Sequence, residues 1–344
     1  MPENKIIQKL THYYHIYRPD LIDPQVKLDW VNTSGWESEI YAFTLTSGKA
    51  EQRHSEQRVL RLLTGGKMAD AAREYQIMEL LGKAGYPVPE VYALGNEKHG
   101  FGRPFIIMQC IKGDSFADRF QNSLANNSFP LQQFISLLHQ LHALNWHPYV
   151  ANPNSYEHPD DPYYHFDRVL AQYDYYLSQA GLSAFDPVMA WLKEQRHRTA
   201  CPRSSIVHLD FHHNNILQDL QGNLYVIDWT SAEISDYRFD LAWTLTLALA
   251  YRGPAGRQTI LEAYEKDLEQ PVPELDVFEV AAILRRIGSV LISIHAGAEA
   301  LGMRPEAIRA MQGEAEPLTR LYTHLCQLIG DEQPEILALI TRIG

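Results

Sequence analysis

The stretch VHLDFHHNNILQDLQGNLYVIDW, Val207–Trp229, carries three oxygen-bearing side chains, Asp210, Asn215 and Asp228, five and then thirteen residues apart. Those intervals are the ones a phosphoryl-transfer site uses. In that reaction an incoming oxygen and a departing polyphosphate line up while several negative charges sit close together, so metal and geometry matter most. Mg²⁺ takes hard oxygen donors, keeps several waters and needs only one or two protein carboxylates. Asp228 and Asn215 are suited to that task. A carboxylate kept free of metal orients a hydroxyl and takes its proton, which is the role expected of Asp210. Ile206 and Val207 end an apolar run, Gly222-Asn223 makes a turn, and Leu224 to Trp229 reads as a short strand. Singly, each Asp or Asn here is an ordinary turn residue. A competing reading groups His208, Asp210, His212 and His213 as a transition-metal cluster, but it leaves Asn215 and Asp228 without a role.

HLDFHHNNIL followed by VIDWTSAEISDYRFDLAW resembles the aminoglycoside phosphotransferase and choline-kinase superfamily, the small-molecule relatives of protein kinases, over most of the chain. The pattern departs from that family at Leu209, where the first Gly is usual, at His213 and Asn214, where Pro and Gly are frequent, and at Ser235 before Asp236. The resemblance implies an α+β, protein-kinase-like two-lobed fold. An N-terminal antiparallel sheet with one main helix would be followed by a mostly helical C-terminal lobe. It implies lobes at 1–111 and 112–344, ATP and Mg²⁺ as cofactors, and phosphoryl transfer to a small-molecule hydroxyl. It also makes Asp240 a buried carboxylate accepting amide bonds from the loop around Asp210, and His208 a packed residue that orients this loop. Asp236 is placed to cap a helix beginning near Tyr237.

Lys27–Asn32 and Ser38–Thr46 alternate as two strands around Thr33-Ser34-Gly35-Trp36-Glu37, a loop in which Ser34 and Gly35 are candidates to cover phosphates. A third strand, Glu56–Leu63, contains Val59-Leu60-Arg61, with Arg61 where the family pattern has Lys. Strand alternation puts Val59 and Arg61 on one face, toward adenine and the α and β phosphates. Arg58 is on the other face. A guanidinium serves phosphate through a planar fork of donors. Lys67–Leu81 has the period of an amphipathic helix, and the resemblance makes its Glu74 the acid that steadies Arg61. In Pro104–Gly113 it gives Met108 to the back of an adenine pocket, and the Gln109 carbonyl and Ile111 amide to its edge.

Beyond Gly113 helical periodicity takes over, with helices expected at Phe129–Trp146, Tyr164–Ala180, Phe185–Arg198, Phe239–Tyr251, Arg257–Leu268, Leu275–His295, Pro305–Gly313 and Glu316–Ile329. Ala151–Pro162 reads as a long polar connection. His139 and His142, three apart on one helix, are structural. The chain of 344 residues with 45% hydrophobic content supports two lobes that each bury a core. Thirty basic against 42 acidic side chains, a formal charge of −12, argue against a nucleic-acid surface and favour a cationic acceptor, with Glu233 and Asp236 as acidic candidates. Cys110, Cys201 and Cys326 match neither a disulfide framework nor a zinc spacing. With no signal-peptide pattern and no apolar run long enough to span a bilayer, the cytoplasm is the expected location. The sequence does not specify an oligomeric state. The alternative to a kinase is a nucleotide-binding pseudokinase acting as an interaction module, favoured by the single-Gly loop and Arg61 and opposed by intact Asp210, Asn215 and Asp228.

Overall fold

Alternation along the N-terminal strands separates an apolar face from one that carries Arg61, and each face meets a different helix. In a computed structural model the described residues are 2–343, apart from 33–37, 50–51, 64–67, 122–128, 159, 302, 304–306 and 312. The chain divides into two compact units, the first built chiefly from Met1–Asp114 with Gln218–Thr230.

That first unit contains α1 (Glu3–Tyr17), β1 (Gln25–Asn32), β2 (Ser38–Ser47), β3 (His54–Leu63), α2 (Met68–Lys83), β4 (Val91–Gly95) and β5 (Phe105–Gln109). The strands form one antiparallel sheet in the order β1-β2-β3-β5-β4. Leu60 and Leu62 of β3 join Tyr41, Phe43, Leu45, Phe105 and Ile107 in a core that also takes in Ile6, Leu10, Tyr13 and Tyr14 of α1. Arg58 lies on this side too, 4.2 Å from the Tyr92 ring centroid and donating to the Tyr14 hydroxyl at 3.3 Å. The sequence reading did not anticipate α1, although Ile6, Leu10, Tyr13 and Tyr14 repeat at the helical interval. Val59 and Arg61 belong to the opposite face, and α2 packs on β4 and β5.

The second unit, Ser115–Leu217, Ser231–Leu301 and Pro305–Gly344, is mostly helical. Its longer helices are Phe129–Ala143, Tyr164–Gln179, Tyr237–Leu268, Leu275–Ala296 and Ala315–Ile329, with Asp186–Glu194 and Pro334–Thr341 shorter. The terminal helix Pro334–Thr341 is another that the sequence reading did not anticipate. Tyr237–Leu268 covers what the sequence divided into two helices. The division is real but local: Gly253 adopts φ 74° and ψ −175°, which breaks the helical path, and Pro254 follows it. Within Ala151–Pro162 the short helix Asn154–Glu157 forms, and Glu157 pairs with His147 at 2.6 Å. An antiparallel ribbon joins Ser204–Val207 to Glu233–Asp236, with Val207 opposite Glu233 and Ser204 opposite Asp236. Among the described residues no helix is long and apolar enough to cross a membrane.

Leu10 has no exposed surface in the α1 contact. Its replacement by Ala should remove transfer energy and leave a cavity, destabilising the first unit by about 2–5 kcal/mol. Urea unfolding followed by hydrogen exchange of β2 and β3 amides checks this.

Candidate active site

Strand Ser204–Val207 ends in His208-Leu209-Asp210, and a buried carboxylate determines the path of the chain there. Asp240, with no exposed surface, accepts the His208 amide on Oδ2 at 2.8 Å and the Leu209 amide on Oδ1 at 2.9 Å. It lies in the first turn of Tyr237–Leu268, where the helix dipole favours a negative charge. His142 Nε2 is 3.2 Å from Asp240 Oδ2, and His142 Nδ1 is 2.8 Å from the Tyr264 hydroxyl, so His142 is a packed residue. Leu209 has φ 59°, the left-handed region in which glycine is usual and which costs another residue about 1–2 kcal/mol. The departure from Gly at this position therefore leaves the backbone turn in place, held by the Asp240 bonds and by Arg285, whose Nη1 donates to the Leu209 carbonyl at 2.8 Å. Asp236 accepts the Arg238 amide at 2.9 Å, which caps the same helix.

Asp210 follows directly. Its Oδ1 accepts from Trp243 Nε1 at 2.9 Å and its Oδ2 from Asn215 Nδ2 at 3.2 Å, while its amide donates to His208 Nδ1 at 3.3 Å. His212 Nε2 is 3.5 Å from Asp210 Oδ2. Burial pushes the Asp210 carboxyl up, but the bond and charge of His212, the Trp243 N–H and the charge of His208 outweigh it and hold the group well below the usual carboxylate range. Asn215 Nδ2 also donates to the Asp210 carbonyl at 3.0 Å. The amide nitrogen thus faces Asp210, and Asn215 Oδ1 makes no hydrogen bond among the described residues. His213 goes elsewhere: its ring stacks on Phe120 at 5.1 Å and its Nε2 is 3.2 Å from Arg252 Nη2. Burial, with Arg252 beside it, pushes His213 down to about 4. With His208 committed to the loop and His213 to Phe120, the four groups do not converge, and among the described residues no three His, Cys, Asp or Glu side chains could hold a metal ion.

In the first unit a second cluster forms around Arg61. Its Nη1 lies 3.0 Å from Glu74 Oε1, and its Nη2 donates to Asp228 Oδ1 at 2.8 Å and to Thr230 Oγ1 at 2.6 Å. The Thr230 hydroxyl donates in turn to Asp228 Oδ1 at 2.8 Å. Arg61 and Glu74 are both buried. Burial raises the Glu74 carboxyl and Asp228 adds to the rise, while Arg61 opposes it. The expected strand at Leu224–Trp229 stops at Val226, and Asp228 turns through φ 66°. Trp229 anchors that turn: it is fully buried, its Nε1 donates to the Val226 carbonyl at 2.9 Å, and its ring meets Tyr86 edge-on at 5.8 Å.

Met108 is buried on β5 in register with Val59 of β3. The Gln109 amide donates to the Glu90 carbonyl at 2.7 Å, and its side-chain oxygen accepts the Glu90 amide at 3.2 Å. Ile111 lies beyond the end of β5, and its amide donates to no group among the described residues. Ser34 and Gly35 lie outside the described residues.

The family model described as "Phosphotransferase enzyme family" matches residues 31–278. The chain belongs to this phosphotransferase family. Its fold is shared by solved structures of low sequence identity. A Ralstonia eutropha protein with a provisional aminoglycoside phosphotransferase assignment is 18% identical at TM-score 0.61, covering 93% of this chain and 98% of its own. A Plasmodium vivax ethanolamine kinase is 12% identical at TM-score 0.59, covering 95% and 89%. The choline kinase LicA from Streptococcus pneumoniae is 16% identical at TM-score 0.54, covering 88% and 94%. Among curated proteins nothing matches.

For this phosphotransferase, sequence reasoning assigned no role to Thr230, Trp243 or Arg285, although each bonds to a candidate residue or to its loop. Thr230 sits two residues after Asp228, close enough to be suspected. Trp243 and Arg285 reach the loop from helices 33 residues and more away, and no local pattern marks them. Asp240→Ala should leave two amides of the loop without their acceptor and lower stability by about 2–4 kcal/mol. Chemical denaturation, with amide exchange at His208 and Leu209, measures the loss.

Proposed function

We propose that this chain transfers the γ-phosphate of ATP to a hydroxyl of a small molecule, with Asp210 as the group that receives the hydroxyl's proton. The observation that carries this reading is an Asp210 carboxylate fixed by Trp243 and Asn215 on a loop pinned by Asp240. Membership of a phosphotransferase family supports it. In the step, a bond forms between the acceptor oxygen and the γ-phosphorus as the bond from that phosphorus to the ADP oxygen breaks. The acceptor's proton passes to an Asp210 oxygen. A carboxylate held so far below its ordinary range is a weak base, so Asp210 first orients the hydroxyl and gains the proton as the oxygen loses electron density to phosphorus.

Asn215 and Asp228 are the proposed Mg²⁺ donors, an amide oxygen left without a hydrogen bond and a carboxylate, both hard ligands. Bound Mg²⁺ would neutralise phosphate charge. Arg61, kept in place by Glu74, would hold the α and β phosphates, with Ser34 and Gly35 over them. Met108, the Gln109 carbonyl and the Ile111 amide would receive adenine, and the unbonded Ile111 amide suits that role. Arg61 presents several donors in a plane, so its substitution for lysine supports phosphate binding rather than the loss of it.

Calorimetry with ATP and Mg²⁺, then ATP consumption over amino alcohols, aminoglycosides, sugars and hydroxy acids, tests the reading. Asp210→Ala should lower turnover at least about 10²-fold with ATP affinity largely intact. Asp228→Ala should instead weaken nucleotide binding, and only when Mg²⁺ is present. Wild-type protein that binds no nucleotide would overturn the proposal, and unchanged turnover in Asp210→Ala would remove Asp210 from it.

A further inference from the structure

The sequence offered Glu233 and Asp236 to a cationic acceptor, and both carboxylates are already neutralised. Glu233 pairs with Arg168, and Asp236 with Arg238 at 2.6 Å in a pair with almost no exposed surface. Arg285 is the contrasting case. Its guanidinium lies 4.0 Å from the Trp243 ring centroid, the same Trp243 whose Nε1 holds Asp210. Its Nη1 donates to the carbonyl of Leu209, the residue before Asp210. No carboxylate lies within 4.0 Å of it among the described residues, and the rest of its donors make no hydrogen bond there. The side chain is partly exposed.

Resting on the kinase reading above, we propose that the acceptor carries an anionic group, a carboxylate or a phosphate monoester, bound by Arg285 while its hydroxyl meets Asp210. A guanidinium beside the loop offsets the repulsion that an anionic acceptor would meet from Asp210, and its planar fork matches both oxyanions. It would repel an ammonium group at the same place. Arg285 is thereby a specificity residue, and the acidic net charge of the chain is a poor guide to its acceptor.

The test fills the nucleotide site with the non-hydrolysable analogue AMP-PNP and Mg²⁺, then titrates D-glycerate, glycerol 3-phosphate, glycerol, choline and kanamycin by calorimetry. With ATP in place of the analogue, KM and kcat follow for each compound consumed. Glycerate, glycerol 3-phosphate or both should bind more tightly than glycerol, and the two arms tell carboxylate from phosphate. Arg285→Ala should raise Kd and KM for the anionic compound at least about 10-fold with a smaller change in kcat, and Arg285→Lys should restore part of the loss. If Arg285 only braces Leu209, the variants lower kcat for all acceptors alike, which overturns the proposal. Preferential binding of choline or kanamycin overturns it too, as does failure of both anions to bind better than glycerol. Failure of AMP-PNP itself to bind would count against the kinase reading instead.

Discussion

A single carboxylate without exposed surface, Asp240, governs the geometry on which the proposed chemistry rests. By accepting two successive amides it lets Leu209 hold a left-handed backbone, and that turn delivers Asp210 to Trp243 and Asn215. Removing its charge from water is costly, and the two amides, His142 and the helix N-terminus together offset that cost. The residue that sets the loop is therefore thirty positions away from the one that would do the chemistry. This is the sense in which the helix Tyr237–Leu268 is part of the candidate site: it supplies Asp240, Trp243 and the Thr244 hydroxyl that bonds the Phe211 carbonyl at 2.9 Å.

The first unit solves a different problem, holding three charged groups close together, with Arg61 and Glu74 buried and Asp228 partly exposed. Arg61 reaches Glu74 with one terminal nitrogen and Asp228 with the other, so one cation serves two carboxylates. The fork geometry allows this without moving the strand. Thr230 completes the arrangement by bonding to both Arg61 and Asp228, which fixes the Asp228 oxygen that faces the guanidinium.

Much of this was legible in sequence because short-range spacing encodes it. The alternation that put Val59 and Arg61 on one face, the helical period around Glu74 and the interval from Asp210 to Asn215 all involve residues whose separation along the chain is fixed by strand, helix or loop. The sheet order, the anchoring of Arg285 on Leu209 and the pairing of Glu233 with Arg168 were not legible, because each is a tertiary contact between elements whose approach local pattern does not determine. Helix α1 was different. Its period was present in Ile6, Leu10, Tyr13 and Tyr14 and went unread, since exposed polar residues between them masked an apolar stripe that only the sheet completes. The division of Tyr237–Leu268 into two helices was legible, because Gly253 with Pro254 after it breaks the helical path between them.

Arginine on β3 has a chemical consequence beyond phosphate geometry. A lysine amine can shed its proton and attack an electrophile. The guanidinium of Arg61 stays protonated in any ordinary buffer and is a poor nucleophile. An amine-directed reagent would find no partner at position 61, so covalent capture near this cluster would have to be aimed at another side chain.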